Sequence, residues 1–324
     1  MKKTVKRALA IMLVVALVSA LFAGCSGKTG AKYKIGICQF VQHDALDKAT
    51  EGFKKGVIDV LGEDKVVFEE QDAAGDSATC STICNGFVSS GVDLIMANAT
   101  ASLQAAAAAT ATIPIVSTAV TDFATALDIS DWNGTTGRNI TGTSDLSPIS
   151  EQADMIKEVF PNVKQVGILY CSAEPNSVFQ VKLMEEALDK LGIAYKTYSA
   201  ADTNEVNAVV TTACDENDVL YVPTDNTLAS CAETVKSVSL AAGVPIVVGE
   251  EENCKNTGQV TLSINYFDIG YEAGKMAADI LANGKDPATM EIKNSTDLVK
   301  KYVPSACEPL GITPPADYVA IEEN

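Results

Sequence analysis

Residues 92–116, VDLIMANATASLQAAAAATATIPIV, hold the alternation that decides the fold. The apolar run at residues 94–96 predicts a buried strand, and the run at residues 114–116 predicts another. Residues 102–111 between them predict a helix, because alanine is the strongest helix former. A strand, a helix and a second strand in direct succession form a unit whose two strands run parallel. We therefore expect a parallel sheet covered by helices.

The same alternation extends in both directions along the chain. Upstream it predicts strands at residues 33–38 and 66–70, and helices at 45–61 and 77–90. Downstream it predicts helices at 149–160, 178–191, 206–214 and 227–242, and strands at 166–170, 195–198, 220–222 and 245–248. A strand at 259–264 and a helix at 269–281 follow. Because residues 139–147 are polar and rich in turn formers, they predict a crossover between two doubly wound α/β lobes.

The N-terminal residues have the pattern of a bacterial export signal. Four basic residues within the first seven precede an apolar run at residues 8–23 that only Ser19 interrupts. This run is shorter than the roughly 20 apolar residues of a membrane-spanning helix, and it fits a signal peptide. It ends in LFAGC at residues 21–25, which resembles a lipobox. We predict a signal peptide at 1–24, a lipidated Cys25 and a tether at 25–32; the alternative is an ordinary signal peptide with a chance cysteine.

The composition excludes several classes of function. The formal net charge is −18, and removal of the signal takes away four positive charges, which argues against nucleic-acid partners. His43 is the single histidine, which excludes multi-histidine metal sites and argues against histidine-based triads, and we expect no cofactor. The cysteines other than Cys25 include no Cys-x-x-Cys pair, and we expect mostly free thiols in the core. No Gly-x-Ser-x-Gly motif occurs, so we expect no enzyme.

Eight segments resemble the ABC-type tryptophan/tyrosine-binding lipoproteins, in order and at the expected intervals. They are IGICQFVQHDALD (35–47), ATASLQAA (99–106), IPIVSTAVTD (113–122), GTSDLSP (142–148), SAEPNS (172–177), VPTDNT (222–227), GEE (249–251) and NYFDIG (265–270). The resemblance covers residues 33 to about 315. It departs from the usual pattern at two places where proline is expected: Asp44 follows His43, and Ala101-Ser102 follow Thr100.

The resemblance implies a type I periplasmic-binding-protein fold, with two doubly wound parallel-sheet lobes joined by three crossovers. It implies lobe 1 at residues 33–144 and 252–286, and lobe 2 at residues 145–251 and 287–324. The implied protein is a lipid-anchored monomer on the extracytoplasmic face of the cell membrane. It would capture a small ligand, an aromatic amino acid such as tryptophan or tyrosine, and deliver it to an ABC permease. The alternatives are a ligand-sensing lipoprotein for a membrane receptor, and binding of a different amino acid or small polar solute.

The candidate ligand-binding residues lie where predicted strands end, because ligands of open α/β sheets bind beyond the carboxyl ends of the strands. They are Gln39, Thr100, Ser102, Thr118, Val120, Asp145, Glu174, Asn176, Ser177, Thr224, Asp225, Asn226 and Glu250.

Helix starts offer free N–H groups to a ligand carboxylate. Residues 100–102 and 174–177 both provide such a start, and we favour residues 174–177 because they add side-chain donors. Asp225, and less strongly Asp145, are the candidates for the ligand ammonium. The alternative role of Asp225 and Asn226 is to cap the helix that follows them, and Asp145 would then stabilise the hinge turn.

Overall fold

The computed structural model describes residues 32–294 and 298–323. The predicted signal peptide, the lipidated Cys25 and the tether up to residue 31 lie outside these residues. The strands are β1 Tyr33–Gln39, β2 Val66–Asp72, β3 Leu94–Asn98, β4 Ile115–Val120, β5 Ile140–Ser144, β6 Gln165–Cys171, β7 Ala194–Ala200, β8 Val219–Val222, β9 Ile246–Val248, β10 Val260–Ser263, β11 Lys293–Asn294, β12 Val299–Tyr302 and β13 Val319–Ala320.

The α-helices and short 3₁₀ helices alternate with these strands. The α-helices are α1 Asp44–Leu61, α2 Ser77–Ser90, α3 Thr100–Ala109, α4 Phe123–Leu127, α5 Ile149–Val159, α6 Pro175–Leu191, α7 Val206–Glu216, α8 Asn226–Ser230, α9 Ala232–Ala242, α10 Glu251–Thr257, α11 Tyr266–Asn283 and α12 Pro304–Cys307. The 3₁₀ helices are Glu63–Lys65, Pro287–Thr289 and Glu308–Leu310. Within the described residues, no helix combines the length and the apolar character that a membrane span requires.

The strands form two sheets. The first has the order β11-β5-β4-β3-β1-β2, and the second has the order β13-β12-β10-β9-β8-β6-β7. Neighbouring strands run parallel except for β10 and β12, which pair antiparallel. Each sheet has an apolar cluster on both of its faces, so helices cover both sides. The expectation of two doubly wound parallel-sheet lobes is therefore confirmed.

The structure corrects the prediction that residues 139–147 form a crossover. Residues 140–144 are strand β5, and all five are buried between β4 and β11. Their hydroxyl groups bond within the protein: Thr143 donates to Thr118 Oγ1 at 2.9 Å, and Ser144 donates to the Thr121 carbonyl at 2.8 Å. Because the hydroxyls are satisfied internally, a polar segment is stable inside the sheet.

The lobe boundaries also differ from the predicted ones after residue 251. Helix α10 and strand β10 stay with the second sheet, because β10 pairs with β9 and β12. The chain returns to the first lobe only at α11, which packs on α1. Strand β11 then joins β5, so the first lobe continues to residue 294 rather than 286. Residues 252–264 therefore belong to the second lobe, and residues 287–294 belong to the first.

Helix α11 is held against α1 by an unusually close approach of the two backbones. A Cβ atom added at Gly52 or Gly270 would lie 2.0 or 2.1 Å from a backbone oxygen of the other helix. Only glycine permits this spacing. The contact fixes the start of α11, and with it Tyr266, beside the junction of the two lobes.

Candidate functional site

A small cavity lies between the two lobes, where the strands of both sheets end. The first lobe contributes His43, Ala45 and Ala119. The second lobe contributes Asn176, Thr224, Asp225, Asn226, Ala229, Glu250 and Asn253. Asp145 and Tyr266 enter from the crossovers. The free volume is about 10 Å³, which is room for about one water molecule.

A larger groove of about 760 Å³ runs along α1 and β2 on the first lobe. Lys54 and Glu70 line it and form an exposed ion pair. The interlobe cavity is the stronger candidate because it lies at the carboxyl ends of both sheets, where ligands of this architecture bind. Polar groups from both lobes also converge on it.

Six of the residues predicted from the sequence line the cavity. They are Asp145, Asn176, Thr224, Asp225, Asn226 and Glu250. The structure does not bring the other seven to its surface. They are Gln39, Thr100, Ser102, Thr118, Val120, Glu174 and Ser177.

In the first lobe, the predicted residues outside the cavity bond to other parts of the protein. Gln39 lines the surface groove instead, where its Nε2 donates to Asp47 Oδ1 at 2.6 Å. Ser102 Oγ lies 3.6 Å from the sulfur atoms of both Cys38 and Cys80. Thr118 accepts the hydrogen bond from Thr143 already described, while Thr100 and Val120 are buried.

In the second lobe, Glu174 lies behind the cavity wall and organises it. Its Oε1 accepts hydrogen bonds from the Thr227 N–H at 2.7 Å and the Thr227 hydroxyl at 2.8 Å. Its Oε2 accepts from Asn226 Nδ2 at 2.6 Å, from the Asn226 N–H at 3.2 Å and from Asn176 Nδ2 at 3.1 Å. Ser177 joins this cluster by accepting from Asn176 Nδ2 at 3.3 Å. One carboxylate thus sets the orientation of Asn176 and Asn226, two of the three amides that line the cavity.

Asp225 caps helix α8, as the alternative interpretation of the sequence held. Its Oδ1 accepts from the Leu228 N–H at 2.8 Å, and its Oδ2 accepts from the Cys171 N–H at 2.6 Å. Burial, together with the negative charge of Glu174, raises the pKa of Asp225 to about 7. Both of its oxygens are therefore already committed to the backbone of the second lobe.

Glu250 has the same kind of role at helix α10. Its Oε1 accepts from the Asn253 N–H at 2.5 Å, and its Oε2 accepts from the Glu252 N–H at 2.6 Å. Burial raises its pKa to about 8. The N–H groups at the start of a helix favour a carboxylate there. The Glu250 side chain therefore stabilises α10 as its cap.

Asp145 differs from these two caps because hydroxyl groups hold it instead of backbone N–H groups. Thr121 Oγ1 donates to its Oδ1 at 3.0 Å, and the Tyr266 hydroxyl donates to its Oδ2 at 2.5 Å. Burial raises the pKa of Asp145 above its usual range. Because hydroxyls can turn to other acceptors, Asp145 is the cavity carboxylate with the most capacity to take a new donor.

His43 also lines the cavity, although it is not among the candidate ligand-binding residues predicted from the sequence. It precedes α1 without capping it, and its Nε2 lies 3.2 Å from Asn226 Oδ1 of the other lobe. Burial lowers its pKa. The signal for this placement was available, because His43 follows the first strand of its lobe as Asn176 follows the first strand of the other.

The first-lobe wall also contains strained backbone. Ala119 has φ of +54° and Ala99 has φ of +82°, in the region that side chains other than glycine rarely adopt. Ala99 directly follows β3, and Ala119 is the next-to-last residue of β4 and lines the cavity. Such strain concentrates at functional sites, where the surrounding structure maintains it.

The thiols and acidic groups form no metal site within the described residues. The eight cysteines from Cys38 to Cys307 are free, in line with the expected free thiols. No group of three or more histidine, cysteine, aspartate or glutamate side chains is arranged to hold a metal ion in the part of the chain that the structure describes.

Similar proteins identify the family. Residues 34–320 match the family described as ABC transporter substrate binding protein. The chain is 33% identical over 291 residues to a protein named tyrosine-binding protein from Clostridioides difficile (strain R20291), covering 85% of this chain and 84% of that protein. A crystal structure of an ABC domain in complex with L-Trp from Streptococcus pneumoniae is 31% identical with a TM-score of 0.83, covering 88% of this chain and 99% of that one.

A third relative was solved in an open conformation, which allows a comparison with the L-Trp complex. It is a ligand-free, open substrate-binding protein with adhesive properties from Clostridium difficile, 32% identical with a TM-score of 0.68, covering 90% of this chain and 100% of that one. The described conformation is thus closer to the L-Trp complex than to the open form, in agreement with the His43–Asn226 bond across the cleft. The expected type I periplasmic-binding-protein fold is confirmed. This chain belongs to the ABC transporter substrate-binding protein family, whose members bind ligands rather than catalyse reactions.

Proposed function

We propose that this chain captures an aromatic α-amino acid, tryptophan or tyrosine, in the interlobe cavity and delivers it to an ABC permease. ABC substrate-binding proteins are extracytoplasmic, so capture takes place outside the cytoplasm. The names of two relatives support the ligand class, since one is named tyrosine-binding and the other was crystallised with L-Trp.

The observation that carries the proposal is the polarity of the cavity. One side carries carboxylates, of which Asp145 is the one free of backbone caps. The opposite side carries the uncapped start of α1 at Ala45, where backbone N–H groups favour an anion. A zwitterionic amino acid has the complementary charges, with its ammonium on Asp145 and its carboxylate at the start of α1.

Small side chains leave space for a large ligand side chain. Ala45 and Ala119 face the cavity from the first lobe, and Ala229 faces it from the second. An aromatic ring needs far more volume than the present cavity offers, so the two lobes separate slightly to admit it. The methyl groups of Ala45, Ala119 and Ala229 then contact the faces of a planar ring.

We further propose that Cys25 carries the lipid that anchors the chain to the membrane as a monomer, after cleavage of residues 1–24. The tether at residues 25–32 then links the anchor to the lobes. Metabolic labelling with a palmitate analogue tests this directly. The wild-type chain should incorporate the label and Cys25→Ser should not, whereas equal labelling of Cys231→Ser and wild type serves as the control.

The ligand is tested by a thermal-shift screen of the full chain against the twenty amino acids and common sugars. A ligand that binds the folded state alone stabilises by about 4 kcal/mol at a thousandfold excess over Kd. We expect large shifts with tryptophan and tyrosine, and loss of these shifts in Asp145→Asn. Asp154→Asn, at an exposed position on α5, should behave like wild type. No shift with any amino acid would contradict the proposal.

A further inference from the structure

The orientation of the Asn226 side chain is fixed by a carboxylate. Asn226 Nδ2 donates to Glu174 Oε2 at 2.6 Å, and an ionised carboxylate can only accept hydrogen bonds. The amide NH₂ therefore faces Glu174, and Asn226 Oδ1 faces the other way, towards the cavity that Asn226 lines. His43 Nε2 lies 3.2 Å from this oxygen, so the imidazole nitrogen is the donor of that bond.

Asn176 is oriented in the same way. Its Nδ2 donates to Glu174 Oε2 at 3.1 Å and to the Thr224 carbonyl at 3.3 Å. Glu174 thus binds the NH₂ groups of both Asn176 and Asn226. Asn226 Oδ1 is consequently an acceptor available to a ligand, and a ligand that supplies a hydrogen-bond donor at this point is favoured.

His43 already shows what kind of group fits opposite Asn226. It places a flat aromatic ring with a ring N–H against Asn226 Oδ1, across the cleft from the other lobe. The remaining free volume of about 10 Å³ admits no amino acid, so the lobes must separate to bind one. Separation breaks the His43–Asn226 bond between the lobes and frees its acceptor for a ligand ring.

We propose that Asn226 Oδ1, held towards the cavity by Glu174, selects aromatic amino acids whose side chains carry a hydrogen-bond donor. Tryptophan supplies the indole N–H and tyrosine the phenolic O–H, whereas phenylalanine supplies neither and leaves the acceptor unpaired. The inference rests on the proposed function and assigns recognition of the ligand side chain to Asn226 Oδ1. The cost of an unpaired buried acceptor corresponds to roughly 10- to 100-fold in affinity.

The ligand ammonium is a less suitable partner for this oxygen. Asp145 lies at the crossover between the lobes, and its carboxyl group is the kind of partner that an ammonium requires. The His43–Asn226 pair belongs to neither crossover and joins the two lobes directly. The ammonium and the side-chain donor therefore have separate acceptors in one cavity.

Calorimetric titration of the full chain in mild detergent with L-tryptophan, L-tyrosine and L-phenylalanine tests the proposal. We expect phenylalanine to bind roughly 10- to 100-fold more weakly than the other two. In Asn226→Leu, which keeps a similar side-chain size, the preference should fall below about threefold because tryptophan and tyrosine lose affinity. Asn217→Leu removes a buried amide of the second lobe that lies outside the cavity, and it should keep the preference.

His43→Ala provides a second variant that leaves Asn226 intact. It frees the acceptor and the space, so all three amino acids should bind more tightly while the preference against phenylalanine remains. Equal affinity for phenylalanine in the wild type, or an unchanged preference in Asn226→Leu, would overturn the inference and leave the proposed function intact. Failure of all three amino acids to bind would overturn the proposed function and this inference with it.

Discussion

The two walls of the interlobe cavity are built in opposite ways. The second-lobe wall is a cluster of polar side chains, in which Glu174 and Asp225 bond to neighbouring backbone and amide groups. Apart from His43, the first-lobe wall consists of the small residues Ala45 and Ala119 and the start of α1. The second lobe thus offers fixed side-chain acceptors, whereas the first lobe offers mainly backbone and small side chains. We infer that the second lobe recognises the ligand and that the first lobe provides room for it.

The largest effect is expected from a substitution that disrupts the second-lobe wall. Glu174→Ala removes the acceptor for the N–H groups of Asn226 and Thr227 and for two side-chain amides. Loss of so many bonds to a charged group should lower the free energy of unfolding by on the order of 3 kcal/mol and abolish aromatic amino-acid binding. Chemical denaturation measures the first effect and calorimetry the second. Glu186→Ala, exposed on α6, should change neither.

The second-largest effect is expected at the first-lobe wall, where side-chain size and backbone conformation affect stability and ligand binding. Ala119→Val places a β-branched residue at φ of +54°, and it should cost about 2 kcal/mol of stability and weaken ligand binding. Ala119→Gly is the matched control, because glycine adopts this φ without strain and should keep binding. If Ala119→Val binds as wild type does, the first-lobe wall is not part of the ligand space.

A smaller effect is a pH dependence that arises from the buried carboxyl groups. The pKa values of Glu250 and Asp225 are raised to about 8 and about 7 in the folded protein, so the folded state binds more protons than the unfolded state. Their contribution to stability is present at low pH and is lost as the pH rises through these values. His43 acts in the opposite direction below its ordinary value of 6.5, because burial lowers its pKa.

Between about pH 6.5 and 8 we therefore expect the Tm of the ligand-free protein to fall. A bound ammonium replaces the protons, so the Tm shift produced by ligand should grow over the same range. Melting curves with and without ligand at several pH values measure both trends. A ligand-induced shift that decreases with rising pH would contradict an ammonium site among these carboxyl groups.

The smallest expected effect concerns a second hydrogen bond that joins the two lobes. Asn256 Nδ2 of the second lobe donates to Asp44 Oδ2 of the first at 2.8 Å; Asp44 is exposed and Asn256 is half-buried. Asp44→Ala should weaken ligand binding by roughly twofold to threefold, because an exposed hydrogen bond contributes about 0.5 kcal/mol. Asn256→Ala should give the same loss, and the double variant no more than either alone. Additive losses would show that the two side chains act independently.

The two walls also differ in how far the sequence predicted them. The second-lobe residues Asn176, Thr224, Asp225 and Asn226 follow strand ends within recognisable motifs, and all four line the cavity. The first-lobe candidates failed to reach it, because Gln39 and Ser102 bond within their own lobe. Those bonds depend on which helix covers the strand, and a residue pattern along the chain does not contain that information.

The fold was predicted more fully than the site. Alternating apolar runs located most strands and helices to within a few residues, since each depends on local periodicity. Strand β5 and the boundary after residue 251 were missed because partners distant in sequence decide them, such as β4 and β11 around β5 and β9 beside β10. The role of Asp145 could be ranked above that of Asp225 only after their hydrogen-bond partners were known.

A crystal structure of the chain with L-tryptophan would test the central claim most directly. We predict the ammonium nitrogen within about 3 Å of a carboxylate oxygen of Asp145, at normal hydrogen-bond distance. The carboxylate should lie at the start of α1, and the indole N–H should point to Asn226 Oδ1 in place of the His43 ring. Tryptophan bound outside the interlobe cavity, or with its ammonium away from Asp145, would contradict the account.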